Sequence, residues 1–336
     1  MKIIKQEAHL LDTIGMTEYQ VIEKVGRTCY KSEDKITDDS AKKFVASLVK
    51  SGHHAMIEFG YIYLKITEID FRKWFEIAKN DRIHMIGHYV VGNMRTFYDW
   101  YKGLLDGEWM FDPYDPQAEF IDLLHMLSVK YPEVYKDLYD QIHKEFEFWF
   151  DDSDTPSPDE ISYPFIIMEP KEFYEDFDQS GYIPAIKKYI TPHIVMFTTS
   201  RAIALELCRH RDCVSYAMES TRYCNYSKGK FGSEITVIEP MFEHGSDKYM
   251  VWYEGCLRDE EDYFKLLNLG ATPQEARGKL PNDLKADLWM GAFEDEWQHI
   301  INLRFHGTTG APHPQCKELI GLVYPQIVVA SERRLK

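Results

Sequence analysis

The chain has 336 residues and a formal net charge of −16, with 44% hydrophobic and 28% charged residues. That is ordinary globular composition, long enough for one large domain or two with a sizeable buried core. The acidic balance argues against a general nucleic-acid or membrane-surface binder, because phosphate-rich partners select a basic footprint.

Aromatic residues reach 14%, so flat surfaces exist for ring stacking as well as core filling. The opening "MKIIKQEAHLLDTIG" lacks the sustained apolar stretch of a secretory leader. No uncharged apolar run approaches the roughly 18 residues of a membrane span. The six cysteines (29, 208, 213, 224, 256, 316) are scattered and contain no CxxC. Reduced thiols, a cytoplasmic location and no metal site are therefore expected.

In chain order, "KIIKQEA" predicts a short strand, and Thr17 with Gln20 has the spacing that opens a helix towards Cys29. "DDSAKKFVASLVKSG" predicts an amphipathic helix stopped by Gly52, and "EFGYIYLKIT" a strand. Residues 67–190 carry aromatic-rich helical patterns ("DFRKWFEIA", "AEFIDLLHMLSVKY", "EVYKDLYDQIHKEFEFWF") and a polar linker, "DDSDTPSPDE". They read as a mainly helical insertion. "HIVMFTTS" predicts a strand, "SRAIALELCRHR" a helix capped at Ser200, and "EITVIEP" another strand. Helices are expected at about 247–268, 283–303 and from Pro314, with Thr272-Pro273 opening a short one that carries Arg277. The mixture predicts an α/β (mixed α+β) globule.

The chemistry concentrates in "CRHRDCVSYAMESTRYCNYSKGKFG", where Arg209, His210, Arg211 and Arg222 stand close together in an acidic protein. A guanidinium suits phosphate because its planar fork donates two parallel hydrogen bonds and stays charged. With the hydroxyls of Ser215, Ser220 and Thr221, the segment has the donors for a nucleotide phosphate. The plain alternative is that these arginines pair with surface carboxylates, which 55 acidic residues make easy. Cys213 lies close by, but nothing near it supplies the base a thiol nucleophile needs, so a small buried thiol is expected.

The segment resembles the signature of the flavin-dependent thymidylate synthases, in which an Arg-His-Arg triplet precedes Ser-x-Arg-Tyr. Here Arg209-His210-Arg211 is followed, after eight residues, by Ser220-Thr221-Arg222-Tyr223. "RTCY" (27–30), "SGHHAMIEF" (51–59), "GATPQEARGKLP" (270–281), "WQHIINLR" (297–304) and "HPQCKEL" (313–319) resemble further segments of that family in its order. The resemblance covers roughly 1–66 and 191–330 and leaves 67–190 as an insertion in a catalytic domain of 1–66 and 191–336.

The resemblance implies reductive methylation of dUMP to dTMP, with methylenetetrahydrofolate as carbon donor, FAD as cofactor and NADPH as reductant. It implies a homotetramer with shared active sites, and the acidic charge leads to the expectation of neither nucleic-acid nor membrane partners. Arg209, His210 and Arg211 would lie against FAD, with Arg209 also near the nucleotide. Glu206, Met218, Glu219, Ser220, Thr221, Arg222 and Arg277 would line the dUMP site, and in the family Ser220–Arg222 come from a neighbouring subunit. Arg304 would sit beside the uracil and favour loss of its N3 proton, while His53 and His299 would lie near the flavin and folate rings. His53 could instead act at a helix C-terminus, and His299 could be a packed helix histidine.

Several positions depart from the family pattern. Glu206 stands where Gln is common, Met218 where Gln or Glu precedes the serine, and Ala55 where Ser or Thr is frequent. Phe293 and Asp295 occupy the place of a flavin-facing Asn-x-Arg. "VVGNMRTFYDW" (90–100) in the insertion contains Asn93-x-Arg95, which would either serve the flavin or simply cap a helix. A related flavoenzyme adding another 5-substituent, such as hydroxymethyl, is the nearest alternative, and a non-catalytic nucleotide- or nucleic-acid-binding protein is the alternative from another class.

Overall fold

The computed structural model describes residues 1–67, 82–107, 119–145, 164–211 and 214–334. The expected helix "DFRKWFEIA", the linker "DDSDTPSPDE" and Cys213 lie outside the described residues. The chain forms two compact units, one of residues 1–14, 24–36 and 193–336, the other of 15–23 and 37–192.

The first unit holds a four-stranded sheet in the order β2 (Glu7–Leu10), β7 (Pro192–Ser200), β10 (Lys285–Phe293), β8 (Ser215–Met218). β2 runs antiparallel to β7, and β8 antiparallel to β10 with Met218 opposite Leu288. A two-stranded parallel sheet joins β1 (Lys2–Ile4) to β9 (Thr236–Ile238). The central strands β7 and β10 are buried almost throughout, and helices Arg201–Leu207, Glu294–Ile301 and Pro314–Arg334 supply the apolar face packed on them. Ser200 caps the helix it precedes, its hydroxyl accepting from the Ile203 amide at 3.2 Å.

The helix expected over 283–303 is instead a strand followed by a short helix. "KADLWMGAF" is buried on both faces of the sheet interior, so it lacks the polar alternation that marks a strand in sequence. The helix Asp247–Asn268 and the one from Pro314 lie where they are expected.

In the second unit the sheet order is β4 (Ile83–Ile86), β5 (Tyr89–Asn93), β3 (Tyr61–Ile66), β6 (Phe165–Met168), all neighbours antiparallel. Its core joins Ala41, Val45, Ile57, Ile62 and Leu64 to Val90, Phe97, Leu124 and Tyr135. Residues 37–66 thus share one core with the segment expected as an insertion, and the division at 66/67 is not a division between packing units. The described part of that segment is mainly helical, as expected, with β4, β5 and β6 as short strands among the helices.

Trp297 anchors the helix Glu294–Ile301. It is fully buried, and its indole Nε1 donates to the His193 carbonyl at 3.1 Å. Truncating it to alanine is expected to cost about 3–5 kcal/mol. Trp297→Phe, which keeps most of the packing and loses the hydrogen bond, should cost less than half of that. Urea denaturation followed by circular dichroism measures both.

Candidate active site

Two constructions in the first unit carry the residues singled out in the sequence. The first holds Arg304. Helix Glu294–Ile301 runs on into a π-helical turn, Asn302–His306, and π turns often accompany functional side chains. Gly307 ends it in the left-handed region at φ 71°, where a Cβ would stand 3.0 Å from the Gly310 carbonyl oxygen and from Pro312. Only glycine fits both the angle and the space.

Within this turn the Arg304 guanidinium donates from Nη1 to Glu206 Oε1 at 2.5 Å and from Nε to His210 Nε2 at 3.0 Å. His210 is buried, its carbonyl accepts from the Tyr216 hydroxyl, and its ring stands edge-on to His299 at 6.3 Å between centroids. Burial, then the charges of Arg304 and His299, hold the His210 imidazole down to about 4. It is therefore neutral at physiological pH and accepts the Arg304 hydrogen bond. Glu206, whose charge at this position departs from the family pattern, is the counter-ion of Arg304.

The second construction holds the segment Ser220–Arg222. Glu219, at 2% exposure, accepts from Lys285 at 2.8 Å, from Lys31 at 3.2 Å and from the Tyr226 hydroxyl at 3.2 Å. Asp287 accepts from Lys31, from Lys285 at 2.9 Å and from the Thr198 hydroxyl at 2.8 Å. Two cations and two anions thus close a partly buried ring. The backbone is pinned beside it, the Glu219 amide donating to the Asp287 carbonyl at 2.9 Å and the Ser220 amide to the Cys29 carbonyl at 3.4 Å. Glu219 and Met218, both assigned to the nucleotide by resemblance, are turned inward. Met218 packs on the sheet core and Glu219 completes the ring. Thr221 is buried, Ser220 half-buried and Arg222 exposed over the Tyr223 ring at 5.5 Å.

Arg209, Arg211, Arg222 and Arg277 are all exposed, and among the described residues none of them makes an ion pair. Pairing with surface carboxylates, the plain alternative for these arginines, is absent among the described residues. His299 is exposed on its helix.

The remaining candidates belong to the second unit. His53 is exposed and precedes the 3-10 turn His54–Phe59, following the left-handed Gly52. Asn93 is buried at the end of β5 and caps the helix Met94–Leu105, its Oδ1 accepting from the Thr96 amide at 3.0 Å. Arg95 donates to Glu58 at 2.6 Å and to Asp99 at 3.2 Å. This is the helix-capping arrangement, with the arginine engaged by carboxylates. Lys31, Lys285 and Asp287 were not singled out in the sequence. They lie far from Glu219 along the chain, and no local pattern connects them.

The family model described as "Thymidylate synthase complementing protein" matches residues 190–326. Over that span, and not over the rest of the chain, the sequence is similar to that family. No curated protein matches the chain. Among solved structures, it is similar to a UMP/dUMP methylase PolB from Streptomyces cacaoi bound with 5-Br dUMP, at 15% identity and TM-score 0.34, over 50% of this chain and 80% of that one. The same methylase bound with 5-Br UMP aligns at 17% identity and TM-score 0.33, over 43% of this chain and 74% of that one. The matched span contains both constructions apart from Lys31 and Cys29, which reach in from the N-terminal part.

The charge ring has a pH signature. Burial raises the Asp287 carboxyl, but Lys285 and Lys31 outweigh it and hold the group at about 2, below its ordinary 3.8. A carboxyl depressed in the fold contributes stability that is complete above its unfolded value and lost as pH falls through the folded one. Stability should therefore fall between about pH 3.8 and pH 2 in the parent. Asp287→Asn should be less stable at neutral pH and show a flatter decline in that window, measured by thermal melts across the pH series.

Proposed function

We propose that the protein is a flavin-dependent thymidylate synthase, converting dUMP to dTMP by reductive methylation. One observation supports this most: in a strongly acidic chain, four exposed arginines of the signature segments stay without an ion pair among the described residues. Leaving guanidiniums uncompensated costs a folded protein nothing only where water or an anionic ligand takes the hydrogen bonds. Arg222 and Arg277 would grip the nucleotide phosphate, and Arg209 and Arg211 would lie along the flavin dinucleotide, whose pyrophosphate they suit. When bound, reduced FAD supplies hydride, with NADPH as its reductant and methylenetetrahydrofolate as the carbon source.

The chain's own part is positioning and electrostatics. Arg304, oriented by Glu206 and by neutral His210, would stand beside the uracil and stabilise the ring that has lost its N3 proton. That makes C5 electron-rich without an enzyme thiolate, and among the described cysteines burial pushes the Cys208 and Cys316 thiols up. Ser220, anchored beside the charge ring, would meet the phosphate with its hydroxyl. Because Glu206 offsets the Arg304 charge, Glu206→Gln should keep the fold and tighten dUMP by a few-fold, read by isothermal calorimetry.

Arg222→Ala should weaken dUMP binding by about 1.5–3 kcal/mol, the range of a charge-assisted hydrogen bond. Calorimetry on the flavin-loaded protein measures it, and unchanged affinity would count against the assignment.

A further inference from the structure

We infer that His210, Glu296 and His299 form a binding site for a divalent transition-metal ion. Glu296 and His299 stand three residues apart on the helix Glu294–Ile301 and so project from one side of it. Trp297, Ile300 and Ile301 are buried and fix the rotation of that helix. His210 approaches from the loop after Leu207, its amide donating to the Leu207 carbonyl at 3.2 Å and its carbonyl held by Tyr216. One ligand atom from each of the three residues lies within 4.8 Å of the other two.

Donors about 2 Å from a tetrahedral zinc ion stand roughly 3.3 Å apart, so the three must draw together slightly. The structure leaves room for this, since His299 is exposed and Glu296 half-buried while His210 stays fixed. Two imidazoles and one carboxylate select zinc, cobalt, nickel or ferrous iron over the oxygen-seeking calcium and magnesium. Three protein donors also leave a position for water, the pattern of an exchangeable ion rather than a structural one. The cysteine spacings gave no hint of this site, because its donors are imidazole and carboxylate from distant positions.

Arg304 opposes the ion. Its Nε donates to His210 Nε2 at 3.0 Å, and its charge is only partly offset by Glu206 at 2.5 Å. Ion and guanidinium therefore compete for His210, and the site fills at the expense of that hydrogen bond. The inference stands on this geometry and does not depend on the reaction proposed above.

Co2+ and Zn2+ are the probes, added to tag-free, chelator-treated full-length protein, with the visible Co2+ spectrum and Zn2+ calorimetry as readouts. One ion per chain is expected. His299→Ala and Glu296→Gln should keep the parent's circular dichroism melt and lose both signals, and Arg304→Gln should tighten the ion by about tenfold, the scale of an outer-shell partner. Absence of binding to the parent, or binding that survives both ligand substitutions, overturns the site. Unchanged or weaker affinity in Arg304→Gln overturns the competition.

Discussion

The ring of Lys31, Glu219, Lys285 and Asp287 is the interaction on which the candidate site depends. A buried carboxylate without a partner would be driven to protonate or to leave the interior. Here two lysines from distant stretches meet two carboxylates, and the pairing fixes strand β10, the residue after β8 and the chain around Cys29 in one register. Ser220, Thr221 and Arg222 follow directly from that fixed point. Such a ring is weak evidence of net stability in itself, since apolar replacements of similar size often fold as well.

A second constraint complements it. Arg304 rises from a π-helical turn that left-handed Gly307 ends, and its guanidinium is shared between Glu206 and His210. The neutral imidazole orients the cation without cancelling it, while the carboxylate cancels part of it. Arg209, Arg211, Arg222 and Arg277, by contrast, are exposed and make no ion pair among the described residues. The proposal of an anion site rests on this contrast between paired and unpaired guanidiniums within one acidic chain.

Much of this was legible in the sequence. Helices with clear periodicity and capping residues, such as Arg201–Leu207 behind Ser200 and Asp247–Asn268, lie where pattern and cap place them. Strand β10 was not legible, because a strand buried on both faces presents a continuous apolar run that helix and strand share. The cationic segment stood out by composition, but the direction of its side chains did not. Glu219 and Met218 face inward because of partners at positions 31, 285 and 287 and of the sheet core, which no local spacing reveals. Asn93 was read both as a flavin residue and as a helix cap, and only the Thr96 amide at 3.0 Å displays the second role.

The proposed site therefore combines a charge-paired frame with exposed arginines to which the proposal assigns an anionic ligand. The most direct test is mass spectrometry of the nucleotide after incubating the protein with dUMP, methylenetetrahydrofolate, FAD and NADPH. The expected product is heavier than dUMP by one CH2 group. A product carrying an additional oxygen, or dUMP recovered unchanged from flavin-loaded protein, would contradict thymidylate synthesis.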